Sequence, residues 1–214
     1  LFILFFYLSP SLSNDMNYSY FHVFRNETKI GYHKFKINKI DSTTDVDIEI
    51  NLRVKFLGFT VYNYFHKNKE KWKNNHLVSM KTQTNKNDEL LSCELAINSQ
   101  NLFTRGNAIT KSFPLDSIPS SYWNQKLIKG KKVKQVINTQ DCSILELHIS
   151  KIGKEKIYNN SLIATHFKLK GKEASGEDLD IDIWYDKFGN WVKMNFIKDN
   201  EQIKYFLDKY YETN

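Results

Sequence analysis

The sequence predicts an all-β fold: a strongly curved antiparallel meander forming a partly or fully closed barrel, with a short helical plug. Three observations predict it. Apolar and polar residues alternate with a period of two over long runs, the pattern of strands with one dry face and one wet face. Short polar turns divide those runs and leave no room for the crossover helices that parallel strands require. Of the 214 residues, 41% are hydrophobic, 14% are aromatic and only three are proline, which suits strands in a folded chain able to bury a sizeable core.

At the start, Leu1 to Leu8 is an uncharged apolar run, followed by Ser9-Pro10 and the small-residue pattern Ser11-Leu12-Ser13. Residues 1–13 match the apolar and cleavage regions of a secretory signal segment whose charged start is missing. The run is shorter than the ~20 residues that span a bilayer. A single antiparallel β domain is then expected over residues 14–214, periplasmic or secreted.

Strands are expected from Tyr18 to Arg25 and from Lys29 to Lys39, joined by the polar turn Asn26-Glu27-Thr28. Gly31, early in the second, marks a bulge or a close approach. Thr44, Val46, Ile48, Ile50, Leu52, Val54 and Phe56 then alternate with Asp45, Asp47, Glu49, Asn51, Arg53 and Lys55. At ~3.3 Å per residue that strand reaches about 40 Å, so its sheet must curve. Leu57-Gly58-Phe59 is an apolar corner, expected to pack at the rim or to touch a ligand.

Tyr62 to Trp72 splits into two faces. Tyr62, Tyr64, His66, Asn68, Glu70 and Trp72 share one; Asn63, Phe65, Lys67, Lys69 and Lys71 share the other. A row of lysines belongs in water, so the aromatic row looks inward. Further strands are expected from Leu77 to Thr84, around Leu91, Cys93, Leu95 and Ile97, and less regularly from Leu102 to Phe113. The rhythm breaks from Pro114 to Lys129, where a helix capped by Ser120 or Ser121 would cover one opening. Strands resume over Val133–Asn138, Ile144–Ile152, Ser161–Lys170, Leu179–Asp186, Asn190–Lys198 and Gln202–Tyr210, with a mobile loop at Gly171–Glu177. An open apolar sheet of about eleven strands would aggregate, so it must close or be covered.

The formal charge of +7 is spread along the wet faces. Its densest run, Lys129-Gly130-Lys131-Lys132-Val133-Lys134, reads as a solvated turn, with peripheral contact to anionic headgroups as the alternative. Nucleic-acid modules, phosphate loops, nucleophile elbows and zinc or dinucleotide fingerprints have no match here, so no nucleic-acid partner, cofactor or metal is expected. Cys93 and Cys142 lack metal-site spacing. They are expected as two unpaired thiols, although an oxidising compartment permits a bridge.

His66 and Glu70 lie ~13 Å apart along a straight strand, so neighbouring elements must supply their partners. In a satisfied polar core His66 bonds backbone or a tyrosine hydroxyl, and Glu70 pairs with a lysine or arginine such as Arg53 or Arg105. In a pocket the two hold the polar end of a ligand. An acid–base role would need a hydroxyl or second acid within ~3.2 Å of His66. The pocket-lining candidates are Tyr62, Tyr64, His66, Glu70, Trp72, Tyr122, Trp123 and Asn124. Within the plug, Trp123 either anchors it or stacks on a ligand beside the amide of Asn124. Asp180 and Asp182 share a face with Trp184, expected to be the wet one.

Four motifs occur in order: Lys29-Ile30-Gly31 within Phe24 to Ile37; Tyr62-x-Tyr64-x-His66-x-x-x-Glu70-x-Trp72; Ser121-Tyr122-Trp123-Asn124; and Asp182-x-Trp184-Tyr185-Asp186-x-x-Gly189-x-Trp191. Together they resemble a family of uncharacterised secreted bacterial proteins, domain of unknown function 6134. That family is distantly similar to open-barrel periplasmic proteins reminiscent of lipoprotein carriers. The resemblance covers nearly the whole mature chain and implies the barrel and the compartment, without an activity. The expected function is binding or carrying an amphipathic, lipid-like ligand on the concave face; the alternative is an envelope assembly or interaction protein with a filled core. Catalysis is the lesser expectation.

Overall fold

The computed structural model describes residues 15–98, 100–105, 110–130, 132–172 and 176–213. The expected signal segment, and residues 173–175 of the expected mobile loop, lie outside the described residues. The strands are β1 (Asp15–Arg25), β2 (Thr28–Ile40), β3 (Thr43–Phe56), β4 (Phe59–Lys73), β5 (His76–Lys86), β6 (Glu89–Ile97), β7 (Asn101–Thr104), β8 (Ser112–Pro114), β9 (Ile118–Pro119), β10 (Val133–Ile137), β11 (Ile144–Ile157), β12 (Leu162–Lys172), β13 (Asp178–Tyr185), β14 (Trp191–Lys198) and β15 (Glu201–Leu207).

All fifteen belong to one sheet, in the order β8-β7-β6-β5-β4-β3-β2-β1-β15-β14-β13-β12-β11-β10-β9. Because β1 pairs with β15, the order runs around a circle and is broken once, between β8 and β9. The pairing is antiparallel except for β9 with β10. This is the predicted curved meander, left open at one seam. The strand count exceeds about eleven because the irregular run after Leu102 divides into β7 and β8, and Ile118-Pro119 pairs briefly as β9; short edge strands are a common way to blunt an open sheet.

Local chemistry explains the turns. Asn74-Asn75, Asn87-Asp88 and Asp199-Asn200 each place two residues at positive φ, the geometry of two-residue hairpins that Asn and Asp tolerate best. Curvature comes from register shifts at Val23/Phe24, Val54/Lys55, Lys71/Trp72, Lys151/Gly153 and Trp184/Tyr185, since a bulge bends and twists its strand. Gly31 flanks the first of these, and a Cβ there would lie 1.9 Å from the Asn51 carbonyl oxygen. The close approach expected of that glycine is therefore real.

The concave face is the core. Phe21, Phe35, Val46, Trp72, Leu77, Met80, Leu95, Leu147, Ile183 and Trp191 all pack there. On the outside a smaller cluster of Ile157, Tyr158, Trp184 and Val192 is covered by Tyr210. The expected last strand ends at Leu207, and Asp208–Thr213 forms a 3-10 helix instead. Tyr158 anchors this end: its hydroxyl donates to the Val192 carbonyl (2.6 Å) and accepts from the Leu207 N–H (2.9 Å).

Two expectations need correction here. The plug is a strap from Ser120 to Lys129 with one turn of 3-10 helix, Gln125–Leu127. Asn124, not Ser120 or Ser121, caps it, accepting from the Lys126 N–H at 3.0 Å, because Tyr122 at φ 61 cannot continue a right-handed helix. The cysteines are not free: Cys93 and Cys142 form a disulfide, with Cα atoms 5.0 Å apart. Cys93 is on β6 and Cys142 in the turn after β10, so the bridge staples the two ends of the sheet across its seam. That proximity exists only once the sheet has curled.

Candidate functional site

The barrel is filled at one end and hollow at the other. A cavity of about 660 Å³ opens beside the first half of β4. Its apolar wall comes from Ile48, Ile50, Leu52 and Val54 on β3, Ile181 on β13, Met194 and Phe196 on β14, and Ile203 on β15. Polar groups enter it from His33 on β2, from Tyr62, Tyr64, His66 and Asn68 on β4, from Tyr122 on the strap and from Tyr205 on β15. The period-two pattern of β4 places them: its inward residues are buried or half-buried and its lysines exposed.

His66 is buried, and its Nδ1 shares a 2.8 Å hydrogen bond with the Thr84 hydroxyl, its cross-strand neighbour. The partner is thus a threonine, where backbone or a tyrosine was expected. That hydroxyl lies within the ~3.2 Å that an acid–base role would need; among the described residues no carboxylate bonds the imidazole as an orienting third group, and Glu70, the acid on its face, is engaged elsewhere. His33 is 3% exposed, and among the described residues neither ring nitrogen has a hydrogen-bond partner. Its ring is boxed by Trp191, Tyr205, Phe35 and Phe21, with centroids 5.0, 5.9, 6.2 and 6.3 Å away. Burial holds the His33 pKa down to about 3, with help from His66, and holds His66 down to about 4.

Glu70 sits below the cavity in the filled end. Its Oε1 accepts from Asn68 Nδ2 (2.8 Å), and its Oε2 accepts from the indole N–H groups of Trp72 and Trp123 (2.9 Å each). Burial raises the carboxyl pKa, and the Trp123 and Trp72 donors oppose that shift. Neutral donors therefore hold Glu70, not Arg53 or Arg105. The two indoles meet edge to face at 5.5 Å, so Glu70 pins the strap to β4.

Of the eight candidates, Tyr62, Tyr64, His66 and Tyr122 line the cavity. Glu70, Trp72 and Trp123 form the pin, and Asn124 is the helix cap. His33, Asn68 and Tyr205 were missed as candidates. His33 shares its strand parity with Phe35 and Ile37, and Tyr205 with Ile203, which was the available signal. Asp180 and Asp182 lie on the wet face as expected, paired with Lys168 at 2.8 and 2.9 Å. The Leu57-Gly58-Phe59 corner is not packed: Leu57 is 82% and Phe59 77% exposed, because a hairpin tip projects beyond the sheet that would cover it. Val61 on the same hairpin lines the cavity mouth.

The buried histidines set a pH dependence. Their folded pKa values, about 3 and about 4, lie below the ordinary ~6.5. Between those limits the unfolded chain binds protons that the folded chain refuses, so stability is full above pH ~6.5 and falls as pH drops, by up to ~1.4 kcal/mol per pH unit per imidazole. Glu70, raised above its ordinary range, acts with the opposite sign and offsets part of the loss. Urea midpoints at pH 7 and pH 4.5 should differ strongly in the native chain and clearly less in His33→Phe. Equal differences would show that His33 is not buried neutral.

A family model described as Domain of unknown function (DUF6134) matches residues 21–208. The chain belongs to this family. The DUF6134 match takes in the second half of β1, from Phe21, and all of β2 to β15, so family and sheet nearly coincide. Among solved structures, this DUF6134 member is similar to a beta-barrel-like protein of domain of unknown function DUF1849 from Brucella abortus, with a TM-score of 0.67 at 8% identity, covering 92% of this chain and 96% of that one. At that identity the likeness is one of fold. No curated protein matches the chain.

Proposed function

We propose that this DUF6134 protein binds or carries an amphipathic, lipid-like molecule in a periplasmic or secreted setting. The observation that carries the reading is the concave cavity of about 660 Å³, whose lining sets an apolar wall from β3, β13, β14 and β15 beside polar and charged groups that include Arg25, Lys86, Glu177 and Asp199, so that it offers both halves of an amphipathic molecule a surface. The rival reading, an interaction protein with a filled core, draws support from the Glu70 end alone. The Cys93–Cys142 bridge supports an oxidising compartment. Leu57 and Phe59, exposed on the hairpin whose Val54 and Val61 line the cavity, support loading from a membrane surface. Beside them, Lys29, Arg53 and Lys55 line a second depression together with the Arg25–Glu201 ion pair, and it shares Arg25, Ile30 and Val54 with the cavity; the cations in excess there suit anionic headgroups.

Native mass spectrometry of gently extracted protein tests this. The wild type should carry a bound lipid-like mass, and the double variant Leu57→Ser, Phe59→Ser should carry much less with its melting temperature unchanged. A bare polypeptide mass, together with no uptake of added lipid, would rule the reading out.

A further inference from the structure

The sheet register builds a polar patch into an apolar wall. His33, Ile50 and His66 are direct neighbours on β2, β3 and β4, and one step along the wall Phe35, Ile48 and Asn68 are neighbours in the same way. Adjacent strands lie ~4.8 Å apart, so each polar group on β4 stands roughly 10 Å from β2 across an aliphatic side chain. Both ring nitrogens of His33 and the Oδ1 of Asn68 are buried without a hydrogen-bond partner among the described residues. Such groups cost about 1–3 kcal/mol each when unmet, and folded proteins keep few of them. His33 and Asn68 both line the cavity. Aromatic rings enclose His33 on its protein side, so what enters the cavity is what can answer it.

The charge around this patch narrows the chemistry. The lysine and arginine residues of the lining, Arg25, Lys86 and Lys198, sit at the ends of β1, β5 and β14, away from the rows that hold His33 and Asn68. With both imidazoles neutral, a carboxylate or phosphate seated there would be desolvated without a countercharge, which is strongly unfavourable. A neutral imidazole offers one donor and one acceptor, and the Asn68 carbonyl offers acceptors only. A hydroxyl donates and accepts, and so meets both.

We propose that the head group bound in this cavity is uncharged and hydroxyl-bearing, of the glyceride or long-chain alcohol kind, and that it contacts His33 and Asn68 at separate points. This rests on the ligand-binding reading above. It excludes fatty acids and phosphate-headed lipids as the preferred ligands.

The test is displacement of N-phenyl-1-naphthylamine at pH 7.4 by a series with one chain length: 1-monododecanoylglycerol, dodecanol, dodecanoate and dodecyl phosphate. The glyceride should displace the probe at a concentration about tenfold lower than dodecanoate, the equivalent of one unmet buried group answered. In His33→Phe and in Asn68→Leu that preference should shrink to about threefold or less, while dodecanoate is unaffected. Dodecanoate or dodecyl phosphate matching the glyceride in the wild type would overturn the head-group assignment and leave the carrier reading standing. A wild-type preference that survives both variants would overturn the roles of His33 and Asn68. Displacement by no member of the series would bring down both readings. The wild-type series decides the chemistry even where a variant fails to fold.

Discussion

Removing the disulfide, by Cys93→Ser with Cys142→Ser or by reductant, should destabilise the protein by about 4 kcal/mol and lower its melting temperature by roughly 8–16 °C. The bridge spans a sequence separation of 49 residues, and closing a loop of that length restricts the unfolded chain by about this amount in the chain-entropy account. Its position adds a second consequence. The loop it closes contains β7, β8, β9, the strap and β10, which are both edges of the sheet and the segment between them. Thr82 holds the Cys93 side of the staple, accepting from the Cys93 N–H at 2.9 Å. Lys111 reaches the Cys142 carbonyl from the other edge at 3.5 Å. Without the bridge, β8 and β9 become free edges able to pair with other chains, so the reduced protein should also aggregate on heating. Circular dichroism melts with and without reductant, followed by light scattering, measure both effects. A shift of less than about 2 °C, no more than 1 kcal/mol would give, would show that the strap alone closes the seam.

Glu70→Leu is expected to cost about 3 kcal/mol. The substitution leaves the N–H donors of Asn68, Trp72 and Trp123 without their acceptor, at about 1–3 kcal/mol apiece. Relief from burying a carboxyl, whose pKa burial raises, offsets part of that cost. Glu70→Gln keeps a carbonyl acceptor for the indoles and should lose only about 1 kcal/mol. A double-mutant cycle with Trp123→Phe isolates the tie between β4 and the strap: the two losses should be less than additive by about 1 kcal/mol. Additive losses would mean that the indole of Trp123 packs beside Glu70 without depending on it.

Much of the architecture was legible along the chain because a strand exposes its own arithmetic. The alternation from Thr44 to Val54 and the two faces from Tyr62 to Trp72 reappear in β3 and β4, interrupted only by the bulges at Val54/Lys55 and Lys71/Trp72, since side chains point up and down whatever the neighbours do. Asn74-Asn75 and Asn87-Asp88 marked hairpins because few other residues accept positive φ at two successive positions. The resemblance to domain of unknown function 6134 holds over residues 21–208. The plug was harder to read: one positive φ at Tyr122 turned an expected helix into a strap, and side-chain type does not announce such a residue. That the Leu57-Gly58-Phe59 corner does not pack at the rim was hidden for a related reason, because exposure depends on how far a hairpin overhangs the sheet.

Local pattern determined that this chain is a curved antiparallel sheet with His66, Glu70 and the tyrosines of β4 turned inward; periodicity and turn chemistry act over a few residues and survive in any packing. Tertiary structure alone decided which inward residues surround a hollow and which fill it. Trp123 reaches Glu70, and Cys93 reaches Cys142, only after the sheet has curled round on itself. Those distances depend on how far fifteen strands curl, a sum of small twists and bulges that no short window of sequence contains.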